Sequence, residues 1–312
     1  DRVGIGEAAP LGGVSVDYKE DFPQVLAAFA NKMTDVNLEA NILEQVRSRI
    51  PAGYSSVICA FETALLDLAN GGVRRVFDGS FLDGRPIPIN GLIWMGEGEF
   101  MRKQAEEKIA QGYSCLKLKI GGIDFEEECQ ILHHIRSRYS DDQLTIRLDA
   151  NGSFAERDAL MKLERLSDFG IHSIEQPLPT NSPLLAEVCR KSPIAVALDE
   201  ELIGREEEKG ELLDGCTPEY IILKPTLHGG FLHSKEWIRE AERRGIGWWI
   251  TSALESNVGL NAICQFTSQY PVEVPQGLGT GALYHNNFAS PLVVTSGHIR
   301  YGNEPWGITL ED

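Results

Sequence analysis

Five apolar segments in succession end on a charged residue: Lys119, Asp149, Glu175, Asp199 and Lys224. The intervals between these residues are 30, 26, 24 and 25, and an amphipathic helical pattern fills each gap. Strand–helix units at so steady a period predict parallel strands with helical crossovers, closed into a TM-like (β/α) barrel. A doubly wound open sheet is the rival, but no GxGxxG opens any of the helices. Eight strand candidates fit the series, at residues 87–94, 115–120, 145–150, 172–176, 195–200, 220–224, 247–253 and 272–277.

The stretch before residue 87 has another rhythm. Residues 1–20 are Gly-rich and β-like, and helical patterns follow at 38–50 and 55–70, the second stopped by Gly71-Gly72. A Gly/Asp/Pro-rich loop at 78–88 then marks a boundary. The expected organisation is a small α+β capping domain at 1–86 and a barrel at 87–285. A segment at 286–312 is expected to return to the capping domain. The chain opens on Asp1 in what reads as the middle of a hairpin, so a natural amino-terminal extension is expected.

Composition excludes several classes. The chain is 42% hydrophobic and 24% charged, ordinary for a folded domain, and its net charge of −17 repels nucleic acid and anionic membranes. No apolar run approaches a membrane span. Six cysteines lie scattered without metal-ligand spacing, which reads as reduced thiols of a cytoplasmic protein. Oligomeric state is left open.

The strand-end charges carry the chemistry. In a (β/α) barrel the carboxyl-terminal strand ends converge on one mouth, where reacting groups are placed. Side chains alternate along a strand, so Lys117 and Lys119 share a face. At about 7 Å apart and an effective dielectric of about 20 they repel by roughly 2.4 kcal/mol, which depresses a lysine pKa toward a neutral base. Three acids without His or Cys (Asp149, Glu175, Asp199) make an all-oxygen site suited to Mg²⁺, with Mn²⁺ able to substitute. Arg147 and Asn151 share the face of Asp149 and are candidate partners or barrel filler, while Glu200 faces away. The predicted reaction on a small carboxylate substrate is α-proton abstraction by Lys119, with Lys224 on the opposite side.

The Lys-x-Lys strand, the three acids and Lys224 together resemble the enolase superfamily, in the subgroup named for muconate lactonizing enzyme. Ala60-Phe61-Glu62-Thr63-Ala64-Leu65-Leu66-Asp67-Leu68 is similar to its capping-domain helix. Within the subgroup, Leu148-Asp149-Ala150-Asn151-Gly152, Glu175-Gln176-Pro177 and Gly277-Leu278-Gly279-Thr280-Gly281 are most similar to the o-succinylbenzoate synthase family of menaquinone biosynthesis. The resemblance implies syn-dehydration of 2-succinyl-6-hydroxy-2,4-cyclohexadiene-1-carboxylate, with Lys119 as base and then acid, and Lys224 as a cation facing the enediolate. Ser252, Glu255 and Ser256 after the seventh strand, and Gly279 and Thr280 after the eighth, are expected near the substrate. The seventh strand end, Trp249-Ile250-Thr251-Ser252, lacks the His of the mandelate-racemase branch. Gly279-Thr280-Gly281 lacks the acids with which dipeptide epimerases hold an ammonium.

Competing readings are an N-acylamino acid racemase using both lysines, a metal-free Schiff-base aldolase on Lys119 or Lys224, and a non-catalytic carboxylate-binding barrel.

Overall fold

The computed structural model describes residues 2–308. Helices α1 (Phe22–Ala30), α2 (Ile42–Arg49) and α3 (Ser55–Ala69) pack around Phe29, Met33, Ile42, Val46, Ile50, Val57, Ile58 and Leu65. Helix α1 is an element that the periodicity did not reveal. Residues 2–20 hold no strand, against expectation. They run along α3 so closely that a Cβ on Gly4 would stand 1.9 Å from Ala64 O. With a helix and no strand beside it, that backbone has no ladder to join, and the Ile5 N–H goes to Asp67 Oδ2 at 3.1 Å.

The expected first barrel strand is split. β1 (Ile87–Pro88) leaves the barrel to pair with the carboxyl-terminal hairpin described below, and β2 (Gly91–Ile93) begins the parallel sheet. There follow α4 (Gly98–Ala110), β3 (Cys115–Lys119), α5 (Phe125–Arg136), β4 (Thr145–Asp149) and α6 (Ala159–Ser167). Then come β5 (Ser173–Glu175), α7 (Leu185–Lys191), β6 (Ala195–Leu198), α8 (Lys209–Cys216) and β7 (Tyr220–Leu223). Helix α9 (Gly230–Arg243), β8 (Gly247–Ile250) and α10 (Asn257–Thr267) complete the alternation.

The parallel sheet runs β2-β3-β4-β5-β6-β7-β8. The expected eighth strand is reduced to two bridged residues, Gln276 on Ile89 and Gly277 on Thr251. Asn90 N donates to Gln276 O at 2.9 Å and Ser252 N to Gly277 O at 3.0 Å, so this segment ties the first strand to the seventh and closes the barrel. Register aligns Lys119 with Asp149 and Asp149 with Glu175. Below them Ala197, Ile222 and Trp249 fill the interior floor.

Two further strands, β9 (Leu292–Thr295) and β10 (His298–Tyr301), form an antiparallel sheet with β1 in the order β1-β10-β9. Ile299 pairs with Ile87, and Tyr301 packs edge-on against Phe81. Residues 309–312 of the expected returning segment lie outside the described residues. Between the helical cap and the barrel, Glu62 of α3 is fully buried and accepts the Phe231 N–H at the start of α9. No helix among the described residues is long and apolar enough to cross a membrane.

Candidate active site

Period two along each strand sends Lys117, Lys119, Asp149 and Glu175 into the barrel interior at the carboxyl-terminal end. Lys117 Nζ stands 2.8 Å from Asp149 Oδ2 and 2.6 Å from Glu175 Oε1, and Lys119 Nζ is 2.7 Å from Asp149 Oδ2. Lys224 follows β7, four strands round from β3 and thus half a turn of an eightfold barrel away, and its ammonium pairs with Asp199. Lys117, Lys119, Asn151, Glu200 and Lys224 line one cavity of about 440 Å³, together with Ser252, Gly279 and Thr280.

Burial disfavours every charge here, and the neighbours decide the outcome. Glu175 is pushed well above the usual carboxylate range by burial and by Asp149 beside it. Asp149 is buried yet held below its ordinary value by Lys117 and Lys119. Asp199, also buried, is held low by Lys224. Lys117 corrects the sequence reading. Burial would lower it, but Asp149 and Glu175 raise it, so lysine–lysine repulsion does not make it a neutral amine.

Among the described residues no group of three or more His, Cys, Asp or Glu is arranged as a metal cage. The three carboxylates instead each turn an oxygen to a lysine ammonium. Their chemistry nevertheless fits a hard cation: Asp149, Glu175 and Asp199 are buried, offer only carboxylate oxygen, and Asp199 Oδ1 has no hydrogen-bond partner. Side-chain movement of the lysines would free the same oxygens for Mg²⁺.

Several predicted residues stand elsewhere. Arg147 points below the site, stacked at 3.9 Å on the Trp249 ring and donating to Pro275 O at 2.7 Å; it is barrel filler. Glu255 is buried outside the cavity, accepting from Thr226 Oγ1, from Ser252 Oγ at 2.5 Å and from Ala253 N at 2.8 Å. Ser256 caps α10 and donates to Glu7 Oε2 at 2.6 Å. Both follow the strand, where backbone turns replace alternation.

Glu200 is the reverse case. Strand β6 ends at Leu198, and Asp199 at φ −126°, ψ −85° breaks the alternation that would have turned Glu200 outward. Gln176 Oε1 fixes the turn by accepting Asp199 N at 3.3 Å and Glu201 N at 3.2 Å. Glu200 therefore lines the cavity and accepts from Asn151 Nδ2 at 2.7 Å. Sequence reasoning also missed the apolar rim of Leu11, Val14, Trp94, Leu227, Leu254 and Leu283. Leu11 and Val14 come from the amino-terminal segment, which no local pattern connects to a barrel mouth.

Residues 100–312 match the model of the enolase C-terminal domain-like family. The chain is 50% identical over 324 residues to o-succinylbenzoate synthase of Desulfotalea psychrophila, covering 94% of this chain and 87% of that protein. The crystal structure of MenC from that organism has a TM-score of 0.86 at 43% identity, over 95% of this chain and 90% of that one. The L-Ala-D/L-Glu epimerase from Bacillus subtilis has a TM-score of 0.83 at 21% identity, over 97% of this chain and 86% of that one, a likeness of fold alone.

Proposed function

Because this chain belongs to the enolase superfamily, we propose that it dehydrates 2-succinyl-6-hydroxy-2,4-cyclohexadiene-1-carboxylate to o-succinylbenzoate. What carries the reading is its likeness to o-succinylbenzoate synthase over nearly the whole chain. The site supports it: a cavity with an apolar rim and a floor of lysines suits a cyclic carboxylate.

Lys119 takes the α-proton on its Nζ, and the C–H electron pair moves into the carboxylate as an enediolate. The pair then returns to expel the ring hydroxyl, and Lys119 gives the proton back to it, so that water leaves. One lysine on one face thus serves both proton transfers of a syn elimination. Lys224, from the opposite strand, stays charged and faces the enediolate. Asp149, Glu175 and Asp199 would hold Mg²⁺, which when bound supplies positive charge at the substrate carboxylate. Lys117 stays an ammonium beneath Asp149 and Glu175 and compensates the buried charge of Asp149.

The isomerase alternative, an N-acylamino acid racemase, draws on the same observation of two lysines on opposite strands. Turnover of the cyclohexadiene carboxylate, assayed beside N-acylamino acids with and without EDTA, tests the proposal. Fast dehydration lost on chelation supports it. Racemisation without dehydration, or borohydride trapping of a keto substrate on a lysine, overturns it.

A further inference from the structure

Asn151 leaves β4 at φ +43° and stands between two charged groups. Lys119 Nζ donates to its Oδ1 at 2.7 Å, and its Nδ2 donates to Glu200 Oε1 at 2.7 Å. The two ends of an amide are nearly equal in size, so packing alone does not choose between its orientations. Flipped, the amide would aim N–H groups at an ammonium that has only donors of its own. Glu200 Oε1 accepts from the Nδ2 end, which sends Oδ1 to Lys119. Glu200 makes no other side-chain hydrogen bond among the described residues, and its Oε2 is buried without a partner. The Gln176 clamp on the Asp199–Glu201 backbone holds the carboxylate at that place.

We propose that Glu200 is a positioning residue: acting through Asn151, it holds the Lys119 amine where it reaches the substrate α-carbon. This rests on the reading of Lys119 as the base. Geometry at a reacting amine is costly to lose, since small misplacements of a catalytic group slow the chemical step more than they weaken binding.

The test is a double-mutant cycle on the cyclohexadiene dehydration, with kcat and KM measured for Glu200→Ala, Glu200→Gln, Asn151→Ala, Asn151→Ala/Glu200→Ala and Lys119→Ala. Urea unfolding establishes that each variant is folded. Glu200→Ala should lower kcat about 10–100-fold with KM changed less than about threefold. Glu200→Gln, whose amide oxygen still accepts from Nδ2, should retain more activity than Glu200→Ala. On the Asn151→Ala background the Glu200→Ala change should cost less than about twofold, because its effect passes through Asn151. Additive losses, or a change in KM alone, with Lys119→Ala inactive, overturn the positioning role and leave the base in place. Turnover by Lys119→Ala overturns the base and this inference together. If Glu200→Ala does not fold, the same cycle run with Glu200→Leu, which fills the space but accepts no hydrogen bond, decides.

Discussion

Glu62 of α3 accepts the Phe231 N–H of α9 at 2.5 Å, so a carboxylate from the capping helices closes the start of a barrel helix. Two exposed-in-isolation donors of α9, at Phe231 and Leu232, find their acceptor only in the other unit. Gly230 at φ +80° makes room for it, since a Cβ there would stand 2.4 Å from Glu62 Oε2.

Stability should depend on pH through this group. Burial raises the Glu62 pKa from 4.5 to about 8, so the folded state binds the proton more tightly than the unfolded one. Its contribution is therefore fully present below pH 4.5 and is lost as pH rises toward about 8. Urea unfolding of the native chain and Glu62→Gln across that range should show the native advantage shrinking with rising pH. A constant difference would show that Glu62 does not titrate there.

Replacing Asp149, Glu175 or Asp199 by Ala should abolish Mg²⁺ binding measured by calorimetry and lower dehydration by more than about 100-fold. Far-UV circular dichroism should remain that of a folded barrel. Activity kept by any one variant at low Mg²⁺ removes that residue from the donor set.

Lys224→Arg should retain a measurable fraction of dehydration, because arginine keeps the cation, and Lys224→Ala should lose far more. Lys119→Arg should be inactive, because arginine stays protonated and offers no base. Racemisation, which needs proton transfer on both faces, should vanish in both arginine variants. Equal dehydration by Lys119→Arg and Lys224→Arg would reverse or remove the two roles.

Arg147→Ala should destabilise the fold by about 2–4 kcal/mol, since it empties a buried volume and leaves Pro275 O unpaired. Its kcat/KM per folded molecule should stay within about threefold of native, because Arg147 sits below the cavity. Denaturant unfolding and steady-state kinetics on the same preparation separate the two effects. A selective loss of kcat/KM would place Arg147 in the site after all.

The amino-acid sequence by itself determined the barrel period and the inward face of each strand. Those are local properties: alternation along β3 and β4 dictates where Lys117, Lys119, Arg147 and Asp149 point, whatever surrounds them. Tertiary structure decided what lies past the strand ends and between strands. Glu200 turns inward because Gln176, from the neighbouring strand end, binds the backbone on either side of it. Glu255 turns away because Thr226 and Ser252 offer it hydrogen bonds. A closing strand at 272–277 was legible in the sequence, but that it bridges its neighbours only at Gln276 and Gly277 was decided by the partners that reach them, Ile89 and Thr251. The sign of the Lys117 shift depends on two carboxylates brought from other strands, and Coulomb interactions follow distance in space, which spacing along the chain does not report.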